Sequence, residues 1–223
     1  MADSTVPHFQ EELEQLKARL LVMGGLAENR LRTAIQGLVE GDAELLERVL
    51  AGDEPINQLH VEIDDRCVKL LALHQPMAAD LRAIVSAVKI NSDLERVGDL
   101  AVNTAEAAHR YQTHPPVKPL IDIPRMATIA QEMLHDALQS YIDRDVKLAA
   151  AVLDRDDELD ALKRLVAKEL MGYMQKDKAT VAPSFELILI SRHLERIGDH
   201  ATNIAEDVIF MVSARDIRHK LEE

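Results

Sequence analysis

The sequence predicts an all-α protein made of two tandem, pseudo-symmetric antiparallel three-helix bundles, and three observations carry that prediction. Aromatic residues are only 3% of the 223, tryptophan is absent, and leucine, alanine, glutamate, aspartate and arginine dominate, a composition of long helices rather than strands. Apolar residues recur in steps of three and four along most of the chain. One phrase is written twice: LERVGDLAVNTAE at 94–106 and LERIGDHATNIAE at 194–206 agree at nine of thirteen positions, where unrelated stretches would share about one.

Leu13, Leu16, Leu20, Met23, Ala27, Leu31, Ala34 and Leu38 form one stripe and predict a first helix over about 8–40. The Gly-Gly pair at 24–25 falls inside it and reads as close packing. EGDAE at 40–44 ends it. A second helical stretch, about 43–73, carries Leu46, Val49, Leu50, Leu59, Ile63, Val68 and Leu71, and Gly52 with Pro55 predicts a kink or short break within it. HQP at 74–76 is a turn, and a third helix follows over about 77–110. The four prolines of THPPVKPLIDIP exclude helix. They divide the chain into a first bundle at 1–112, a linker at 113–121 and a second bundle at 122–223. Asp122 is placed to cap, and Pro124 to start, a fourth helix with Met126, Ile129, Met133, Ala137 and Tyr141 on its apolar stripe. A fifth is expected over about 145–175. Thr180 as cap and Pro183 in the first turn open a sixth, about 184–213.

The halves overlay well beyond the repeated phrase. An offset of 103 pairs Met23 with Met126, Leu31 with Leu134, Asp42 with Asp145 and Asp53 with Asp156. By the third helix the offset is 100, so the turn around HQPMAAD is three residues longer than its counterpart. A slip confined to a turn is what a duplicated three-helix unit leaves behind.

Lysine and arginine total 26 against 39 acids, a net charge of -13. That field repels phosphate backbones, so no nucleic-acid partner is expected. The single cysteine, Cys67, cannot close an internal disulfide; it reads as a small core residue of a cytoplasmic protein. The start, MADSTVPHFQEELEQ, lacks a secretion signal, and no run reaches the ~20 apolar residues of a membrane span. Neither a phosphate-cradling glycine loop nor a Ser-His-Asp set is found. His8, His60, His74, His193 and His200 have no zinc-like spacing. Two Glu-x-x-His sets, Glu106 to His109 and Glu132 to His135, resemble di-iron ligand spacing, but the repeat does not duplicate them.

The duplicated phrase holds the candidate chemistry. At ~100° per residue, Glu95, Asp99, Asn103 and Glu106 fall on one stripe, as do Glu195, Asp199, Asn203 and Glu206. Gly98, Ala101 and Ala105, with Gly198, Ala201 and Ala205, flank these stripes and let a neighbouring helix come close, which sets the acids near a helix–helix contact. Carboxylates at i,i+4 repel. Two readings of what offsets that repulsion stand side by side: local pairing with Arg96 and Arg196, three residues from each aspartate, or a bound Mg²⁺, Mn²⁺, Ca²⁺ or iron ion. The second helix of each bundle adds Asp53 and Asn57 in one half and Asp156 and Asp160 in the other, again four apart. Asp53 is equally readable as the cap of a helix restarted at Pro55. With four acids against three and an asparagine, the second-half set is expected to bind metal better.

The segments VMGGLAENRL, AGDEPINQLHVEIDDRCVKLLALHQPMAADLR, both LER-hydrophobic-GD-x-A-x-N phrases and RDIRH near the end resemble the PhoU family of phosphate-specific transport accessory proteins, over nearly the whole chain. The resemblance implies two repeated three-helix bundles, no enzymatic activity, and negative regulation of the phosphate-starvation response. It implies coupling of the phosphate ABC transporter, through its ATPase PstB, to the sensor kinase PhoR, and dimers or higher oligomers. It further implies binding of iron, zinc, magnesium or manganese through (Glu/Asp)-x-x-x-Asp pairs, here Glu95 with Asp99, Glu195 with Asp199, and Asp156 with Asp160; Asp53 with Asn57 departs from an all-acid pair. The alternative is a metalloenzyme built on the same carboxylates, in phosphoryl transfer or oxygen activation.

Overall fold

The computed structural model describes residues 5–52 and 54–217, and its regular elements are all helical. They are α1 (Thr5–Glu40), α2 (Ala43–Leu50), α3 (Glu54–His74), α4 (Ala79–Gln112), α5 (Asp122–Asp143), α6 (Val146–Lys176) and α7 (Val181–Ser213), with a 3₁₀ turn at Lys178–Thr180 before α7. Gly52 and Pro55 break the second helical stretch outright into α2 and α3. Arg155 and Glu158 stand at the equivalent positions, and there α6 runs unbroken.

The repeat is visible down to its turns. The Asp42 side chain accepts from the amides of Glu44 and Leu45 to cap α2, and Asp145 accepts from those of Lys147 and Leu148 to cap α6. Before each cap the chain turns through a left-handed residue, Gly41 at φ 71° and Arg144 at φ 53°. The amide of Asp42 donates to Gly37 and that of Asp145 to Ser140, both at 3.0 Å. Two expected caps are not made: Asp122 is the first residue of α5 and bonds Lys118 instead, and the hydroxyl of Thr180 donates back to the Asp177 carbonyl. The longer α3–α4 turn carries two non-glycine residues at positive φ, Gln75 and Ala78.

The long helices α1, α4, α7 and α5 form a central layer, with α2 and α3 packed outside α1 and α4, and α6 outside α5 and α7. The most extensive helix–helix interface joins the halves, α4 against α7, and one continuous core runs through both. These two helices are antiparallel: Arg82 donates to the Met211 carbonyl, Asp93 meets His200, and Arg110 meets Glu186. Leu94 and Leu194, from the repeated phrase, are both fully buried. Cys67 is buried as expected, and burial pushes its thiol up to about 12, which keeps it protonated and unreactive.

Candidate metal centre

Gly98 and Gly198 explain how the outer helices approach the acidic stripes. A Cβ on Gly98 would lie 3.0 Å from Ile56 Cδ1, and one on Gly198 would lie 2.5 Å from Leu159 Cδ2. Ile56 and Leu159 are repeat equivalents, so α3 and α6 seat the same apolar residue on the same glycine. Asn57 and Asp160 follow these residues directly, and Asp160 is thereby brought to the stripe of α7, where it shares Lys163 with Glu195. Close packing also accounts for Gly24, whose Cβ would strike Leu138, but not for Gly25, which has open space beside it.

In the second half four carboxylates come together. Burial pushes the Asp156 carboxyl above the usual carboxylate range, and the charges of Asp160 and Glu195 push it further. Asp199, at the outer edge of the group, is raised by partial burial and then by Glu195 and Asp156. Asp160 moves the other way, because Lys163 Nζ donates to its Oδ1 at 3.0 Å. The same ammonium donates to Glu195 Oε1, and Arg164 donates to Asp160 Oδ2 at 3.0 Å. Lys163 therefore joins α6 to α7 through the middle of the cluster, and Glu195 is only 17% exposed. Sequence reasoning missed Lys163, although its three-residue step from Asp160 and seven-residue step from Asp156 put it on their face.

The first half is built differently. Glu95 and Asp99 both pair with Arg96 on their own helix, each at 3.5 Å, which is the local pairing anticipated from spacing. Among the described residues Arg196 forms no such pair; Lys163, from the next helix, serves instead. The counterpart of Lys163 is His60, whose Nε2 lies 3.6 Å from Asp64 on its own helix. Arg30, 8% exposed, packs near Gly98 and donates to the Gly52 carbonyl, where the second half has the apolar Met133. Asp53 lies outside the described residues.

The donor set fits a hard cation by its chemistry: Asp156, Asp160, Glu195 and Asp199 offer carboxylate oxygens with no thiolate or imidazole among them, which suits Mg²⁺ or Mn²⁺ better than Zn²⁺. Among the described residues no three His, Cys, Asp or Glu side chains are arranged to hold a metal ion. In the second half the carboxylates are arranged around Lys163. A carboxyl whose pKa is higher folded than unfolded contributes stability while protonated and loses it as pH rises through the folded value. Asp199→Asn is thus expected to raise the melting temperature at pH 7 in chelator-treated buffer. The gain should fade as the pH falls and the native carboxyl, raised above the usual carboxylate range, takes up its proton. Equal melting temperatures at pH 7 would mean that the charge of Asp199 is not under strain.

A family model described as the PhoU domain matches residues 20–108 and again 123–208, one copy in each half. A relative from Caulobacter vibrioides, named phosphate-specific transport system accessory protein PhoU homolog, is 38% identical over 97% of this chain and 95% of its own length. One of the same name from Aquifex aeolicus is 39% identical over 94% of this chain and 95% of its own. The crystal structure of PhoU from Pseudomonas aeruginosa superposes with a TM-score of 0.89 at 37% identity, covering 93% of this chain and all of that one. The phosphate transport system regulatory protein PhoU from Streptococcus pneumoniae gives 0.88 at 27% identity, covering 95% of this chain and all of that one. With both halves matched by one domain model and relatives similar end to end, the chain belongs to the PhoU family.

Proposed function

We propose that this chain is a non-enzymatic, cytoplasmic negative regulator of the phosphate-starvation response, coupling the phosphate transporter through PstB to the sensor kinase PhoR. The observation that carries the reading is end-to-end similarity to relatives named as accessory proteins of phosphate-specific transport. No helix among the described residues is long and apolar enough to cross a membrane, so contact with a transporter would be made through protein surfaces. Leu73, Met77 and Leu81 around the long α3–α4 turn are exposed apolar side chains of the kind a docked partner covers. Deleting the gene should derepress alkaline phosphatase in phosphate-rich medium, and restoring it should silence the enzyme again. Unchanged repression in the deletion strain would sink the proposal. A pull-down with PhoR and PstB then identifies the partners, and light scattering tests for the homodimer.

The reading includes a metal site. Asp156, Asp160, Glu195 and Asp199 are proposed to hold a hard divalent cation, supported by their convergence between α6 and α7, where partial burial and then the neighbouring carboxylates raise Asp156 and Asp199. Glu95 and Asp99, already paired with Arg96, are proposed as the weaker site.

A further inference from the structure

We propose that Lys163 is a built-in competitor for the divalent cation at the α6–α7 carboxylate cluster, so that metal binds by displacing an ammonium rather than by filling an open cage. The inference rests on the metal reading above and adds to it the residue that sets affinity.

The geometry carries it. Lys163 Nζ lies within hydrogen-bond reach of one carboxylate from each helix, Asp160 on α6 and Glu195 on α7. A divalent ion bridging α6 to α7 would draw on the same oxygens, and the ammonium and the ion cannot share them without strong repulsion. Lys163 has a way out, because its side chain is 28% exposed and ends a flexible stem that can swing to water. Asp160 need not be stranded when it leaves, since Arg164 holds the other oxygen, Oδ2. Among the described residues the device is seen in this half only: the equivalent His60 lies beside Asp64, and Glu95 and Asp99 pair with an arginine of their own helix.

The test uses the full chain and Mn²⁺ alone, by equilibrium dialysis with elemental analysis, on the native protein, Lys163→Met, Lys163→Arg and Asp156→Asn/Asp199→Asn. Lys163→Met keeps the apolar stem and removes the charge; Lys163→Gln replaces it should circular dichroism show a loss of helix. Removing one positive charge a few ångströms from a dication is expected to tighten Mn²⁺ binding by about tenfold or more. Lys163→Arg should stay close to native, and the double aspartate variant should lose the site. In chelator Lys163→Met should melt below the native protein, and added Mn²⁺ should raise its melting temperature by more than it raises the native one. Equal Mn²⁺ affinity in native and Lys163→Met, with binding abolished in the double aspartate variant, would overturn the competitor role and leave the metal site standing. No Mn²⁺ bound by either folded protein would overturn both.

Discussion

Residues 1–117 expressed alone are expected to give no stable folded monomer, while mixing them with residues 118–223 should restore a helical complex. The cut falls before Lys118, which bonds Asp122 at 2.7 Å and Glu169 and so belongs with the second half. The reason for the first expectation is the α4–α7 interface, the most extensive in the molecule. The stripe of α4 that begins with Ser86, Lys89 and Asp93 continues at helical spacing through Val97, Leu100 and Thr104, all buried. Each large apolar side chain returned to water costs about 1.5–3 kcal/mol, and a few of them equal the whole stability of an ordinary domain.

Self-pairing is the obvious escape, because α4 and α7 carry nearly the same phrase and a second copy of α4 could take the place of α7. The polar contacts argue against it. Asp93 bonds His200 at 2.8 Å and accepts from Asn203, Lys89 bonds Asp207 at 3.0 Å, and Arg110 grips both oxygens of Glu186 at 3.0 and 3.1 Å. In an α4–α4 pair these charges would face the repeat equivalents Leu100, Ala107 and Ser86. Divergence of the two copies has made each the specific partner of the other. Circular dichroism melts and light scattering on each half and on the equimolar mixture check this. A cooperative melt from monomeric 1–117 would show that the bundles are independent.

This interface also marks what could be read in the chain. The helices, the break at Gly52 and Pro55, the linker and the register of the repeat all follow from local pattern, because periodicity and turn residues act over a few positions. The glycines of the repeated phrase could be assigned to packing because a helix interior tolerates glycine only at a cost. The pairing of Arg96 with Asp99 was legible at i,i+3. Lys163 lay on the right face, but its role depends on which carboxylate of α7 comes opposite, a long-range register that spacing within α6 does not encode. His200 and Asp93 illustrate the same limit: 107 positions separate them, and neither is duplicated at the repeat offset. Pattern reading favours what the two halves share, whereas the contacts that join them lie where the halves differ.

The second large effect tests that divergence directly: Lys89→Leu is expected to destabilise the protein by about 3 kcal/mol, and adding Asp207→Ala is expected to recover most of the loss. Asp207 is only 3% exposed, and the Lys89 ammonium, a third exposed and lying over the Phe210 ring at 5.5 Å, is the cation it faces across α4 and α7. Removing one member of a buried pair costs about 3–5 kcal/mol, because the remaining charge keeps its desolvation penalty and loses its Coulombic return. The lower figure applies since Lys89 is partly solvated and Asp207 makes further contacts. Replacing both members by apolar groups removes the penalty along with the attraction and is often neutral. The protein supplies the replacements itself, for the repeat equivalents of Lys89 and Asp207 are Leu189 and Ala107. The double variant therefore writes onto one side of the interface the residues already present on the other. Urea midpoints for the native protein, both single variants and the double variant close the cycle. A double variant no more stable than Lys89→Leu would mean that Lys89 acts through its packing on Phe210 rather than through the charge of Asp207.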